Sequence, residues 1–357
     1  MSATRKDLIA VERLEDFRAF DAIIDVRSPA EFSEDHIPGA QNYPVLNNAQ
    51  RVEVGTLYQQ HSPFEAKKIG AAYVAENIAQ HLRYAFHDQP PHWKPLIVCW
   101  RGGQRSAAMT LILRRVGWDA KQLQGGYKDY RKEVVRQLAE RPRQLNFKVL
   151  CGATGSGKSL LLQALAHNGQ QILDLEELAC HKGSALGALP NSAQPSQKAF
   201  ETQLLSALLP LDPARPVFVE AESRTIGRIH LPNALLDTMR AGSCLSVAAP
   251  FAARVDFLLH DYAYFLSAAD TLAERLEALS AMHSKACIER WQSYAGQQKW
   301  RELVSELLEQ HYDPQYLRSQ KKNFARLGAI PEFHAEQLNA ADLKSLAQRI
   351  VQHLEKA

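Results

Sequence analysis

The chain has 357 residues, 46% hydrophobic and 23% charged, with a formal charge of +3 from 42 Lys plus Arg against 39 Asp plus Glu. That length exceeds one ordinary hydrophobic core and points to two domains, and the composition excludes a low-complexity or fibrous chain. The small charge excess argues neither for nor against nucleic acid, because local distribution matters more than the sum.

Five cysteines, widely spaced and without a CxxC pair, exclude a disulfide framework and a cysteine zinc site and fit a reducing compartment. The charged N-terminus (residues 1–11) and the lack of any apolar run near 18 residues predict neither signal peptide nor membrane span, hence a cytoplasmic protein without membrane contact.

The first predicted strand covers residues 22–26 and ends in the polar turn Arg27-Ser28-Pro29. Residues 52–83 read as helical and stop before Gln89-Pro90-Pro91-His92. A second strand, 96–99, runs into Arg101-Gly102-Gly103. From Ser106 a helix follows, with apolar positions at Met109, Leu111, Ile112, Leu113 and Val116 and with Gly117 as its closing residue. A charged helix over 127–141 leads to Pro142, where the domain junction is placed: residues 1–141 and 142–357. In the second half, strands at 147–150, 171–173, 217–219 and 245–247 alternate with helical segments, the pattern of a parallel sheet flanked by helices. From about Arg254 onward the pattern is helical and rich in aromatics. The fold class is α/β.

Cys99 ends a predicted strand, and Cys99-Trp100-Arg101-Gly102-Gly103-Gln104-Arg105-Ser106 runs directly into a helix. A thiol becomes a good nucleophile only as the thiolate. Loop amides, the positive helix end, and the guanidinium groups of Arg101 and Arg105 all favour that anion. A lone cysteine ending a strand is more commonly structural, so the flanks carry the decision. They are Asp25-Val26-Arg27, Glu31-Phe32, His36-Ile37-Pro38-Gly39-Ala40 with Asn42, and Gln124-Gly125-Gly126-Tyr127.

This pattern, over roughly residues 8–140, resembles the rhodanese family. The resemblance implies that Cys99 carries a terminal sulfur or selenium atom, inside an anion loop of Arg101, Gly102, Gly103, Gln104 and Arg105. It also implies that Asp25, Arg27 and His36 hold the fold. Asp35 departs from the family pattern, in which a glycine commonly precedes the His-Ile-Pro-Gly-Ala run, and so does the long insertion between Pro44 and Leu96.

Gly152-Ala153-Thr154-Gly155-Ser156-Gly157-Lys158-Ser159 fits G-x-x-x-x-G-K-[ST] between a predicted strand and helix. Its amides can wrap phosphate oxygens at a helix N-terminus, Lys158 adds a point charge, and Ser159 can hold Mg²⁺. The partner acid is ambiguous: Asp174 ends one strand, while Glu220 and Glu222 follow another. No dedicated metal-ligand set is read.

A rhodanese domain joined to a P-loop domain is similar to the tRNA 2-selenouridine synthase family. The runs Val54-Gly55-Thr56-Leu57-Tyr58, His181-Lys182-Gly183-Ser184, Pro195-Ser196-Gln197, Glu220-Ala221-Glu222-Ser223-Arg224 with Ile226-Gly227, and His311-Tyr312-Asp313-Pro314 fit the same resemblance. It implies a transferase acting on wobble 2-thiouridine of tRNA in two steps, geranylation by geranyl diphosphate and then selenation by selenophosphate. Both are co-substrates, and no tightly bound cofactor is implied. A selenophosphate-supplying enzyme is a further partner to expect.

The tRNA-binding candidates are Arg114, Arg115, Lys128, Arg131 and Lys132, with a second cluster of Arg318, Lys321, Lys322 and Arg326 interleaved with Tyr316 and Phe324. The aromatics Tyr262, Tyr264 and Phe265 are candidates for an apolar allyl pocket, against the plainer reading as helix core. Two rival readings stay open, an ATP-dependent kinase or ATPase with a sulfur-carrying domain and a non-catalytic RNA-binding protein.

Overall fold

The computed structural model describes residues 8–10, 14–190, 192–265, 269–323 and 331–356, with the side chains of 14–16, 269–271 and 319–323 excepted. Backbone packing separates two compact units, Met1–Gln137 with Pro195–Ser206, and Leu138–Gln194 with Ala207–Ala357.

In the first unit, β1 (Leu8–Ile9), β2 (Ala22–Asp25), β3 (Ala40–Asn42), β4 (Pro95–Val98) and β5 (Lys121–Leu123) form a parallel sheet of order β1-β5-β4-β2-β3. All four residues of the central strand β4 are buried, as expected of a strand covered on both faces. The following helix, Gln104–Val116, buries Met109 and Leu113 beside Ile24, Ile97 and Trp93 and ends on Gly117, whose φ is +116°. The region read as one helical stretch is two helices, Asn48–Gln60 and Pro63–Tyr84. Pro63 disfavours a helical Ser62, and the Ser62 hydroxyl then caps the second helix by accepting from the Glu65 amide at 3.4 Å.

The segment Pro195–Ser206, read from sequence as part of the second domain, packs with the first unit. Its helix (Gln197–Leu208) is held there by polar contacts. Thr202 Oγ1 donates to Asp35 Oδ2 at 2.9 Å, Lys198 pairs with Glu34 at 2.7 Å, and Arg131 pairs with Glu201.

In the second unit, β6 (Asn146–Cys151), β7 (Gln171–Leu173), β8 (Pro216–Glu220), the hairpin β9 (Thr225–Ile226) and β10 (Ile229–His230), β11 (Ser243–Ala248) and β12 (Glu332–His334) follow in chain order. Five of them make a parallel sheet of order β12-β11-β6-β8-β7, again with the loop-bearing strand β6 in the centre. The strand β12 interrupts the helical pattern expected after Arg254. It is three residues long and buries only Phe333, too little for a period-2 signal to show. Leu343, Leu346 and Ile350 of the helix Ala340–Lys356 pack on Leu161, Leu162 and Leu165 of the helix Lys158–His167. Among the described residues no helix is long and apolar enough to cross a membrane.

Candidate functional site

Cys99 lies directly after β4, 3% exposed, with its Sγ 3.0 Å from Ser106 Oγ and accepting from the Gly103 amide at 3.2 Å. The loop is held from below. Gln122 Nε2 donates to Gly102 O at 2.7 Å and to Ser106 Oγ at 2.9 Å, and the Tyr127 and Lys128 amides donate to the carbonyls of Cys99 and Trp100. Gly126, at φ +61°, permits this close approach, since a Cβ there would sit 2.2 Å from Cys99 O.

Of the expected partners, Gly103 and the helix N-terminus reach the sulfur. Arg101 and Gln104 are exposed at the rim. Arg105 is committed to Glu31 through contacts of 2.7 and 3.2 Å. Burial pushes the Glu31 carboxyl up, but the Arg105 pairing outweighs it and brings the group down to about 2.

Asp25, Arg27 and His36 are structural. Arg27 and Asp25 form a buried pair at 2.6 Å, Arg27 also donates to Asp35 O, and His36 stacks on Phe32 at 3.9 Å. The unusual Asp35 is buried and accepts from Tyr127 Oη at 2.7 Å as well as from Thr202.

In the second unit the P-loop follows β6, with Gly152, Thr154, Gly155, Ser156 and Gly157 in the turn and Lys158 and Ser159 opening the helix. Lys158 Nζ donates to Gly152 O at 2.9 Å. Arg254 steadies the turn, donating to Thr154 O at 2.9 Å while gripping Asp313 at 3.1 and 2.5 Å. That gives the His311-Tyr312-Asp313-Pro314 run a physical role.

Opposite the loop, the carboxylates of Glu176, Glu220 and Glu222 approach one another within 4.8 Å. Ser159 Oγ donates to Glu176 at 3.3 Å. Glu220 is 2% exposed, and its Oε1 has no hydrogen-bond partner among the described residues. Burial and then the neighbouring carboxylates push Glu176 up to about 9 and Glu222 up to about 8; burial likewise raises Glu220 against the pull of Lys158. Crowded, desolvated carboxyls beside a P-loop serine form an oxygen-only set suited to a hard divalent cation.

Gly183, at φ +62°, closes over these carboxylates, and a Cβ there would meet Glu176 Oε1 at 2.4 Å. Asp174 does a different job. It caps the short helix Leu175–Ala179, accepting from the Glu177 amide at 2.9 Å.

Glu176 gives no signal in the sequence, because it sits in the first turn of that helix rather than at a strand end. In the sequence His311 stands out only as part of its run. It is buried in a π-turn (Leu308–Tyr312), lines the P-loop cleft, and contacts His283 Nε2 at 2.9 Å. Burial, then His283, brings its pKa down to about 4. No sequence period announces a π-turn.

The basic candidates fare unevenly. Arg115 and Lys128 are exposed, Arg114 donates to Ala120 O at 3.3 Å, Lys132 pairs with Asp129 at 2.7 Å, and Arg131 is paired with Glu201. In the second cluster Arg318 is exposed and Tyr316 lines the P-loop cleft, while the side chains of Lys321 and Lys322, with Phe324 and Arg326, lie outside the described residues. Tyr262, Tyr264 and Phe265 follow the helix Phe251–Asp261 and mutually pack at 4.7 to 6.1 Å.

Residues 10–133 match the rhodanese-like domain and residues 145–272 match the tRNA 2-selenouridine synthase AAA domain. Among whole proteins, the chain is 37% identical over 250 residues to the tRNA 2-selenouridine synthase of Nitrosomonas europaea, a stretch covering 69% of this chain and 64% of that one. It is 34% identical to the synthase of Alcanivorax borkumensis, over 67% of this chain and 66% of that one. The chain thus spans about two thirds of the length of these relatives. Against the synthase of Bdellovibrio bacteriovorus the identity is 31%, with 88% of this chain and 93% of that one aligned. A match of that extent, with both family models falling on the same chain, makes it a member of the tRNA 2-selenouridine synthase family.

Proposed function

We propose that the protein exchanges sulfur for selenium at wobble 2-thiouridine of tRNA, in two steps served by its two loops. In the first, the thiocarbonyl sulfur attacks C1 of geranyl diphosphate. An S–C bond forms, the C–O bond breaks, pyrophosphate leaves, and the N3 proton passes to a base. Lys158 and the amides of the P-loop take up the charge of the diphosphate. Mg²⁺, held by Glu176, Glu220, Glu222 and Ser159, would supply further neutralisation there.

In the second step, selenium of selenophosphate adds at C2 and the geranyl thiol departs. Hydrolysis of the Se–P bond then gives 2-selenouridine and phosphate. Selenium enters and leaves at one oxidation level, so no oxidant is consumed. Cys99 belongs to this half. Among the expected tRNA-binding residues, Arg115, Lys128 and Arg318 are exposed and would track tRNA phosphates.

The observation that carries this reading is the tandem of a cradled thiol and a P-loop in a chain of this family. Mass spectrometry of tRNA nucleosides from cells lacking the protein tests it. Geranylated and selenated wobble uridine both disappear if the reading holds, and persistence of either overturns it. A kinase or ATPase would instead turn over ATP without tRNA.

A further inference from the structure

Next to the P-loop cleft, the second unit contains a chamber whose walls are almost wholly hydrocarbon. It encloses about 70 Å³ and is partly open to solvent, several times the roughly 10–15 Å³ that a single water needs. Leu259, Leu272, Trp300, Leu303 and Leu307 line the chamber and not the cleft. Thr154, Leu258, Tyr262 and Tyr312 line both, so the two spaces share a wall that includes a P-loop residue. The π-turn serves both sides at once, presenting Leu308 to the chamber and His311 to the cleft.

Chains close apolar gaps when they can, because unfilled space forfeits dispersion contacts and leaves Leu and Trp surface wet. Space kept open beside an anion-binding loop selects a ligand of two characters, a phosphate head joined to a hydrocarbon tail. Leu258 sits where the two meet: a Cβ built on Gly155 would lie 3.0 Å from its side chain.

We infer that this chamber holds the hydrocarbon tail of an allylic diphosphate whose head rests on the P-loop, and that Trp300 and Leu303 set the tail length it accepts. The inference rests on the proposed alkylation step and adds to it a place for the tail and a gauge of its length. With the tail in the chamber and the diphosphate at Lys158, C1 falls at the shared wall, open to the cleft through which a thiouridine must approach.

The test uses the full-length protein and two probes, inorganic pyrophosphate and geranyl diphosphate, each titrated by calorimetry and by tryptophan fluorescence. Each buried methylene multiplies affinity about fourfold, so the ten-carbon probe should bind at least about a hundredfold more tightly than pyrophosphate. It should also change a fluorescence signal that Trp300→Phe removes. Leu303→Trp should lower geranyl diphosphate affinity about tenfold or more while pyrophosphate affinity stays within about twofold, and Trp300→Ala should shift preference toward the fifteen-carbon farnesyl diphosphate. Unchanged pyrophosphate binding certifies that these variants fold.

If geranyl diphosphate binds no more tightly than pyrophosphate, or Leu303→Trp weakens both alike, the chamber is a packing gap and the inference fails while the P-loop reading stands. If neither probe binds in a manner that depends on Lys158, the alkylation reading fails with it.

Discussion

Three carboxyl groups within 4.8 Å set the behaviour of the P-loop cleft. Glu176 at about 9 and Glu222 at about 8 lie above their unfolded value of 4.5, so folding takes up protons there. Their contribution to stability is complete below about pH 4.5 and is lost as pH rises through 8 to 9. Mg²⁺ competes with those protons, so it should raise the thermal midpoint more at pH 8.5 than at pH 6. Equal increments at the two pH values would remove the cluster as the metal site. Glu220→Gln relieves the crowding, stabilising the metal-free protein by about 1–2 kcal/mol at pH 8, and should abolish the Mg²⁺ increment. Glu31 has the opposite sign. Its folded value near 2 lies below the unfolded one, so its pairing with Arg105 stabilises above about pH 4.5 and is lost as pH falls through 2. Partial exposure screens the pair, and Glu31→Gln should cost about 1–2 kcal/mol at pH 7 and much less near pH 2 in urea unfolding.

Among the elements, the helix Gln197–Leu208 depends on side chains far away in sequence. Asp35 accepts from both Tyr127 and Thr202. Thr202→Val should cost about 1–2 kcal/mol, and Asp35→Ala, which strands two buried hydroxyls, about 2–4 kcal/mol. Hydrogen exchange should quicken over residues 197–206 in both variants; unchanged protection there would show that other contacts hold the helix. The sequence could not foretell this placement, because its only sign was an aspartate where a glycine is common. Elements announced by strong local signals were legible: β4 and β6 as continuous apolar runs ending in glycine loops, and the helix after Cys99 with its Gly117 stop. Elements whose identity comes from tertiary pairing were not, and the short edge strand β12 and the π-turn bearing His311 are the examples. Within the site, Cys99 and the P-loop could be read because backbone geometry imposes their glycines. Glu176 and Gln122 could not, because their roles exist only once neighbouring strands and helices assemble.

For the molecule as a whole, the proposed order of steps makes the two loops separable by genetics. Alkylation at the P-loop comes first and creates the leaving group that the selenium step requires. Cys99→Ala should therefore leave alkylation intact, so that S-geranyl-2-thiouridine accumulates in tRNA while selenouridine falls at least about a hundredfold, as expected on losing a side chain that takes part in the selenium step. Lys158→Ala removes the charge that holds the diphosphate, and unmodified 2-thiouridine should accumulate instead. The double variant should match Lys158→Ala alone, because the later block has nothing to act on, and nucleoside mass spectrometry distinguishes all three patterns. Substrate capture should be shared by both steps. Arg115→Ala and Lys128→Ala should each weaken tRNA binding by a similar factor in either half-reaction and reduce the slope of log affinity against log salt by about 0.7–0.9 if each touches one phosphate. If Cys99→Ala yields neither geranylated nor selenated base, the steps are not sequential in this sense, and the cysteine must act before or during alkylation.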